Sequence, residues 1–461
     1  MLLNFRVANH RSIRDELEWQ LHPVYDGDRP HGTSWHAVPV AGIFGANAAG
    51  KSNVVGALRY MAEMVNRSPL MAEDGEGVSR QPFLLDTVAP SECSWYMVDL
   101  LVRGVRYAYG FEVDDESVRG EWLYAYPEGR KRVVFEREGD DFRVGSAYQR
   151  GAKAMQTVAE VTAPNALFLS MAGRSRTSVG SLSRVYRWFR RDLVFGGPLL
   201  GRFSRHPLLF TRDLVRRLDT MGEPTHLREL LRSADLGIED FRVESVEEDL
   251  DEDDRPGARP TGPSTSTTDT KALVQALLDR ERRRGHVRQE LWLRHTGRNG
   301  SFELPLSAES QGTRAIVDYA IVLDGVTRTG GTLVVDELDS SLHPRLSAFL
   351  VGLFQDPERN PHGAQLLFTS HDASLLGRKA GEDILKRDQI WFASKNEFGE
   401  TSLYPLSDFR PRSEENRERR YLSGSYGAVP AIDDRFALAI AGRGGACGEA
   451  AETGRPEDTE A

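Results

Sequence analysis

The chain has 461 residues, of which 39% are hydrophobic and 28% are charged, and its formal net charge at pH 7 is −10. This length suits two or three domain-sized units with a large core, and the negative charge excludes a protein that coats nucleic acid with its whole surface. No apolar run approaches the ~20 residues of a membrane span, and the two cysteines form no metal-ligand pattern. We therefore predict a cytoplasmic protein without a membrane partner.

The first predicted elements of the chain surround a glycine-rich turn. Residues 37–44 (AVPVAGIF) are typical of a short buried strand, and residues 51–65 have the apolar spacing of a helix. Between them, residues 45–52 (GANAAGKS) match the pattern G-x-x-x-x-G-K-[ST]. Small residues let successive backbone N–H groups surround a phosphate, and the following helix points its N-terminus at the anion. The sequence therefore predicts a P-loop that binds ATP.

The polar residues of this turn have predicted roles. Lys51 would reach the outer phosphates, and the Ser52 hydroxyl would hold Mg²⁺. The predicted nucleotide-binding residues of the turn are Gly45, Asn47, Gly50, Lys51, Ser52 and Asn53.

After this helix the pattern changes to strands and then to helices. Residues 93–138 alternate between apolar and polar side chains and turn at 103–104 and 127–129, which predicts an antiparallel meander. Between about residues 158 and 236 the apolar spacing becomes helical. The three helical segments are residues 181–195, 211–221 and 226–238.

Two basic clusters and one acidic run lie in this middle region. Residues 183–192 and 279–288 are rich in arginine, and each could be a solvated helix face or a surface for nucleic acid or a protein partner. Residues 246–270 begin with an acidic run and continue with Pro, Gly, Ser and Thr, which predicts a disordered loop. The strand-like pieces 241–248 and 287–297 flank this loop.

An acidic pair follows a second buried strand. Residues 332–335 are apolar enough for such a strand, and Asp336 and Glu337 stand directly after it. Asp336 would bind Mg²⁺, directly or through water, and Glu337 would orient and polarise the water that attacks ATP. Because many strands end in acidic residues, the neighbouring motifs decide what this pair means.

Three further motifs surround the acidic pair. Upstream, Ser310 and Gly312 precede a helical pattern, and a serine hydroxyl at a helix N-terminus suits the γ-phosphate of ATP. Asp339 lies just beyond the pair. Downstream, residues 363–376 contain a buried strand that ends before His371, whose ring could donate a hydrogen bond to the γ-phosphate.

The spacing of these motifs narrows the class of ATPase. Between Ser52 and Asp336 lie 283 residues, whereas Gly312 and Asp336 are close in the chain. A subunit of a hexameric AAA+ ring or a Ras-like GTPase normally has its acidic strand much nearer the P-loop. A nucleotide-binding domain split by a large insertion explains both distances, and it predicts an α/β fold with a mixed sheet core, an antiparallel β meander and an inserted helical domain. The predicted parts are an N-terminal ATPase lobe (1–155), an inserted helical region (156–300), a C-terminal ATPase lobe (301–430) and a disordered tail (431–461).

In their order, these motifs resemble a known family, the ABC-type ATPases of the SMC, RecF and OLD kind. That family has a P-loop, a Ser-x-Gly signature, an acidic Walker B pair, a D-loop aspartate and a switch histidine. In layout the chain is most similar to bacterial standalone AAA-type ATPases of the RloA and phage-exclusion type. The corresponding positions here are residues 45–52, 310–312, 336–337, Asp339 and His371.

The resemblance implies that a homodimer, or a higher oligomer, encloses ATP between its protomers. Ser310 and Gly312 would act on ATP held by Lys51 of the partner protomer, and hydrolysis assisted by Glu337 and His371 would release the dimer.

The resemblance also implies contacts outside the main motifs. The family's first strand lies beside the nucleotide, so Arg11 is expected near a phosphate, and Asp339 joins the nucleotide-binding set. For the Q-loop glutamine two positions stay open: Gln81, and a position near Ser170, where the family would place it after the meander.

These features predict an ATP-hydrolysing switch in nucleic-acid-linked genome maintenance or phage defence, with DNA or RNA as a candidate partner. About 90 residues follow His371, too few for the nuclease domain of OLD proteins, so a separately encoded effector such as a nuclease is expected.

Two alternatives belong to other classes. A transporter-type ABC ATPase subunit that docks on a membrane protein is disfavoured by the long insertion and by the divergent signature. A nucleotide-binding scaffold without catalysis is disfavoured because Lys51, Asp336, Glu337 and His371 are all present.

Overall fold

A computed structural model gives the fold of the chain. The structure describes residues 1–25, 35–71, 77–175, 180–196, 228, 231–232, 237–247, 287–340, 342–412 and 415–429.

The described residues form strands and helices of very unequal length. In chain order the strands are β1 Leu2–Ala8, β2 Leu17–Gln20, β3 Val40–Phe44, β4 Ser94–Val102, β5 Val105–Val113, β6 Val118–Tyr126, β7 Arg132–Glu138, β8 Asp141–Val144, β9 Leu193–Gly196, β10 Ile238–Glu247, β11 Val287–Gly297, β12 Gly300–Pro305, β13 Thr332–Val335, β14 Gln365–Ser370, β15 Arg378–Lys379, β16 Glu382–Asp383, β17 Ile390–Lys395 and β18 Thr401–Pro405. The helices are α1 Lys51–Met71, α2 Ala152–Glu160, α3 Phe168–Arg174, α4 Gly180–Arg187, α5 Gln311–Thr329, α6 Pro344–Gln355 and α7 Arg417–Leu422.

The centre of the fold is a six-stranded sheet with the order β18-β17-β3-β14-β13-β9. The strands from β17 to β9 run parallel, and β18 pairs antiparallel at one edge. All residues of β3, β13 and β14 are buried, as expected for parallel strands that are covered on both faces. The buried strands predicted within residues 37–44, 332–335 and 363–376 are confirmed.

A second, antiparallel sheet has seven strands in the order β2-β1-β4-β5-β6-β7-β8. The meander predicted for residues 93–138 is confirmed as β4 to β7. Its first turn has positive φ angles at Arg103 and Gly104, 52° and 74°. Strand β1 pairs with β4, so the segments before and after α1 belong to one sheet.

Helix α1 lies between the two sheets and joins them in one core. Its residues Val54, Leu58 and Met61 are fully buried and follow the spacing of one helix face. They cluster with Ile43 of β3 and with Tyr96 of β4. On the opposite face of the six-stranded sheet, α5 and α6 pack against β13 and β14. The turn that precedes α1 is therefore attached to a fully buried part of the core.

A buried carboxylate ties the meander to the helices that follow it. Glu121 of β6 is completely buried, and it accepts backbone N–H bonds from Phe168 (2.6 Å) and Leu169 (2.9 Å) at the start of α3. The Tyr109 hydroxyl also donates to it, at 2.9 Å. Burial raises the pKa of Glu121, and Arg137 acts against this shift. The carboxylate faces a helix N-terminus, which favours negative charge.

The helical prediction for residues 181–195 is wrong in its last part. Helix α4 ends at Arg187, a π-helical turn spans Trp188–Asp192, and β9 follows. β9 pairs in parallel with β13. The apolar residues of this stretch recur at helical spacing, but Leu193 and Val194 are buried in the sheet, and pairing overrides the local pattern. The predicted helical region 156–300 therefore contains strands as well as helices.

A third sheet, β10-β11-β12, is antiparallel. It confirms the strands predicted at 241–248 and 287–297 and adds β12, which the sequence pattern did not predict. Phe241 and Leu293 on this sheet pack against Val317 and Ile321 of α5. The helix that follows Ser310 is thus covered by the third sheet on one side and by the core sheet on the other.

Several predictions lie outside the described residues. They are the helical segment 211–221, most of 226–238, the acidic loop from residue 248, the basic cluster up to residue 286 and the tail 431–461. The division into lobes 1–155, 156–300 and 301–430 stays a prediction. None of the helices in the described ranges combines the length and apolar composition that a membrane span requires.

Candidate nucleotide-binding site

The predicted site residues meet at one edge of the six-stranded sheet. Strands β3, β14 and β13 are neighbours and parallel, so their carboxyl ends lie side by side. The glycine-rich turn follows β3, Asp336 follows β13, and His371 follows β14. In open α/β sheets the crevice beyond the carboxyl ends of the strands is where ligands bind.

The glycine-rich turn has the shape of a phosphate-binding loop. A β-carbon on Gly45 would lie 2.4 Å from the Ala393 carbonyl oxygen, so only glycine fits there. Ala48 and Gly50 have φ angles of 63° and 101°, which curl the backbone before α1 begins at Lys51. Asn47 and Ala48 are exposed, and the first N–H groups of a helix have no partner within it. The loop therefore presents backbone N–H groups to an anion.

Lys51 is almost fully buried, with 4% of its surface exposed. Its Nζ donates to the carbonyl oxygens of Gly45 (2.8 Å) and Ala46 (2.9 Å) and lies 3.3 Å from Nδ1 of His371. Burial lowers the pKa of Lys51 to about 8, and the carboxylates of Asp336 and others nearby act in the opposite direction. The lysine and the predicted switch histidine are thus adjacent, although 320 positions separate them in the chain.

Asp336 forms the second contact between the two distant segments. The Ser52 hydroxyl donates to Asp336 Oδ1 at 3.0 Å, and the Thr369 hydroxyl donates to the same oxygen at 2.6 Å. Hydrogen bonds to a charged group contribute about 1.5–3 kcal/mol each. Asp336 is 6% exposed, so its carboxylate is held firmly beside the first turn of α1.

The side chains of Glu337 and Asp339 have different surroundings. The Glu337 side chain is exposed, its φ is 54°, and its N–H donates to Thr369 Oγ1 at 2.8 Å. The left-handed backbone conformation turns the chain sharply at the end of β13. The Asp339 carboxylate accepts the backbone N–H of His371, at 3.2 and 3.3 Å to its two oxygens. The His371 ring is exposed.

Arg11 lies beside the second turn of α1. One nitrogen of its guanidinium group is 3.1 Å from the position a β-carbon on Gly56 would take, and Gly56 is one turn beyond Ser52 on the same helix face. The Arg11 side chain donates to Gln81 Oε1, so this Q-loop candidate is next to it. Ser170, near the other candidate position, is completely buried in α3.

Asn53 and the predicted signature residues, Ser310 and Gly312, have contacts of a different kind from those of Lys51 and Ser52. The Asn53 amide donates to Ser12 Oγ at 2.5 Å. Ser310 is the N-cap of α5, where its Oγ accepts the Thr313 N–H at 3.1 Å. Gly312 is half-buried in the first turn of that helix. The Ser310 hydroxyl thus bonds within its own helix. The residues that the structure brings together are the P-loop, the acidic pair, Asp339 and His371.

The family that the chain matches agrees with this geometry. A family described as "AAA domain, putative AbiEii toxin, Type IV TA system" matches residues 40–377. The chain belongs to this AAA-domain family. The prediction of an AAA-type P-loop ATPase domain and the prediction of a mixed α/β fold are confirmed.

Solved structures give distant likenesses. The chain is similar to the SMC head domain from Thermotoga maritima, with 13% identity over 88% of this chain and 98% of that one and a TM-score of 0.35. It is also similar to the Smc head domain with an extended coiled coil bound to the C-terminal domain of ScpA from Pyrococcus furiosus, with 10% identity over 89% and 97% and a TM-score of 0.39. No curated protein matches the chain.

The residues of this AAA domain fit ATP with Mg²⁺. The Ser52 hydroxyl and the Asp336 carboxylate are hard oxygen donors 3.0 Å apart, and Mg²⁺ prefers such ligands together with phosphate oxygens. The close approach at Gly45 leaves the loop no room for a side chain. Lys51 and the N-terminus of α1 supply the positive charge that a triphosphate needs.

Sequence reasoning missed three hydroxyl residues at this site. Thr369 bridges Asp336 and the backbone of Glu337. Its position at the end of β14, two residues before His371, could have identified it from the sequence as a site residue. Ser12 and Thr401 contact Asn53 and the P-loop backbone. Nothing in the local sequence around these two residues marks them.

Replacing Asp336 by Asn should remove the charge that would hold Mg²⁺ and retain the shape of the side chain. We expect the Mg²⁺ concentration for half-maximal nucleotide binding to rise about 10- to 100-fold, measured by titrating Mg²⁺ with a fluorescent ATP analogue. Asp356→Asn, at the end of α6, is the control. An unchanged Mg²⁺ requirement in Asp336→Asn would contradict the assignment.

Proposed function

We propose that the chain is an ATPase that hydrolyses ATP and changes its assembly state with the bound nucleotide. The observation that carries this is the meeting of Lys51 with His371 and of Ser52 with Asp336 at one strand edge. Structural roles alone would not require an exposed glutamate and an exposed histidine at the same place.

Each residue has a distinct part in the proposed reaction. Lys51 and the N–H groups of the P-loop bind the phosphates, and Ser52 with Asp336 would hold Mg²⁺. When bound, Mg²⁺ would neutralise charge on the phosphates and favour displacement at the γ-phosphate. Glu337 accepts the hydrogen bond of the attacking water and polarises it. His371 donates to the γ-phosphate.

Glu337→Gln should preserve ATP binding and slow hydrolysis, because the amide cannot act as a base. We expect kcat to fall about 100-fold or more while the Kd for ATP stays unchanged, measured by phosphate release and by equilibrium binding. Glu358→Gln, an exposed glutamate after α6, is the matched control. Normal turnover in Glu337→Gln would remove this residue from the catalytic role.

The same proposal places the signature of one protomer on ATP held by the other. Ser310 and Gly312 stand at the N-terminus of α5, and the third sheet packs further along this helix, on Val317 and Ile321. A helix N-terminus with a serine hydroxyl suits a γ-phosphate approached from outside the protomer. Because Glu337 and His371 are exposed, the signature of a second protomer can approach the ATP from their side of the site.

Mixing two inactive variants would test this arrangement. Lys51→Ala removes ATP binding, and Gly312→Glu blocks the signature without crowding its own helix, since a β-carbon there meets nothing closer than 3.8 Å. If the signature acts on the partner, the mixture should recover about a quarter of wild-type activity, since half of the dimers are mixed and each has one intact site. No recovery, with mixed dimers shown by two affinity tags, would contradict action between protomers.

We also propose a nucleic-acid partner that binds at the end of α4. Arg187, Arg190 and Arg191 are exposed there, and the half-buried Asp192 lies near two of them. Three arginines in little more than one turn suit the phosphates of DNA or RNA. Of the two interpretations of the basic cluster 183–192, this proposal favours a nucleic-acid surface over a solvated helix face.

Replacing these three arginines by Ala should weaken binding of a fluorescent DNA or RNA duplex. We expect about a tenfold loss of affinity at moderate salt and a shallower dependence on salt concentration, measured by anisotropy. The control is the triple alanine variant of Arg130, Lys131 and Arg132, which are exposed in the turn before and at the start of β7. Equal losses in both variants would argue against a specific surface.

The biological setting that we propose is phage defence in the cytoplasm, together with a separately encoded effector. The description of the matching family names a putative toxin and a type IV toxin–antitoxin system, which supports a role with a partner protein. The layout shared with RloA-type and phage-exclusion ATPases supports the same setting.

A further inference from the structure

A line of buried polar groups lies directly behind the P-loop. Asn53 Nδ2 is 2.5 Å from Ser12 Oγ, and Ser12 Oγ is 2.7 Å from Thr401 Oγ1. Thr401 Oγ1 is in turn 3.1 Å from the carbonyl oxygen of Ala49. Ser12 and Thr401 are 9% and 7% exposed, so these bonds face little competition from water.

The chemistry of the four groups fixes the direction of every bond. The Asn53 Nδ2 group can only donate, and the Ala49 carbonyl oxygen can only accept. Thr401 has one hydroxyl proton, and it goes to Ala49. Ser12 must therefore donate to Thr401 and accept from Asn53. Chains of hydrogen bonds with one direction strengthen one another inside a protein.

This chain of bonds joins three segments that are far apart in sequence. Ser12 lies in the turn between β1 and β2, Asn53 in the first turn of α1, and Thr401 at the start of β18. A backbone hydrogen bond also joins two of these segments, since Thr401 N–H donates to the Ser12 carbonyl oxygen at 2.7 Å. Ser12 is also the neighbour of Arg11, whose guanidinium lies along α1.

The P-loop backbone packs directly onto Thr401. A β-carbon added to Gly50 would be 2.0 Å from Thr401 Oγ1, so the threonine side chain occupies the space behind Gly50. Gly50 has a φ of 101°, a conformation that glycine tolerates and that other residues avoid. A hydroxyl that fixes the Ala49 carbonyl thus supports the peptide between Ala49 and Gly50, directly before Lys51.

We propose that Ser12 and Thr401 are positioning residues for nucleotide binding. They hold the Ala49–Gly50 backbone and the first turn of α1, so that the loop has its phosphate-binding shape before ATP arrives. They also hold the turn that carries Arg11 against the same helix. This inference rests on the proposed function and adds residues outside every recognised motif. Pre-organised donors bind more tightly because less ordering accompanies binding.

Thr401→Val removes the hydroxyl and keeps the shape of the side chain. We expect the Kd for ATP to rise about tenfold, as for one buried hydrogen bond lost, with kcat at saturating ATP changed less than about twofold. Thr401→Ser should restore binding to within about twofold of wild type, since it restores the donor.

The matched control is Thr332→Val. Thr332 is a fully buried threonine of β13 whose hydroxyl donates to Gln365 at 3.1 Å, at the end of the strand away from Asp336. It should lose as much thermal stability as Thr401→Val without losing ATP affinity. If the two variants lose ATP affinity equally, or if Thr401→Val binds ATP like wild type, the proposal is wrong. A wild-type protein that binds no ATP would instead overturn the proposed function.

Ser12→Ala alone should also raise the Kd for ATP, so it tests the proposal even if Thr401→Val folds poorly, and a wild-type Kd in this variant would contradict the proposal. Ser12→Ala removes the middle of the chain of bonds and leaves the P-loop packing of Thr401 intact. The double variant Ser12→Ala/Thr401→Val should bind ATP about as weakly as Thr401→Val alone, because both changes interrupt one network. Fully additive losses of ATP affinity would show two independent effects and would contradict the network.

Discussion

The position of β14 between β3 and β13 is the constraint on which the site depends. The P-loop and the acidic pair come from segments nearly 300 positions apart, and neither strand pairs with the other directly. Strand β14 pairs with both, and Thr369 at its end binds Asp336 and the Glu337 backbone. Shifting β14 by one residue would turn Thr369 to the other face of the sheet and separate the acidic pair from its support.

The residues of the site differ in burial. Lys51, Asp336 and Thr369 are buried and hydrogen-bonded. Glu337 and His371 are exposed to solvent. Electrostatic contacts strengthen when water is excluded.

The sequence predicted the parts of this structure that local patterns encode. Glycine spacing identified the P-loop because Gly45 packs against the Ala393 carbonyl group and Gly50 against the Thr401 side chain. The apolar strand before Asp336 marked the acidic pair. The strand β9 was missed because a four-residue strand is too short for its period to be read against a helical background. Ser12 and Thr401 could not be found, since 389 positions separate them and only the fold brings their hydroxyl groups together.

Helix α5 has two packed faces, and this has a mechanical consequence. One face rests on the core sheet through residues such as Leu323 and Val326, and the other carries the third sheet through Val317 and Ile321. The helix has 19 residues and is about 28 Å long, so it moves as a rod. A tilt of the third sheet would displace the amino end of this rod, at Ser310, while β3 and its loop stayed still. Helix α5 would therefore carry a displacement of the third sheet to Ser310 and Gly312, the predicted signature residues.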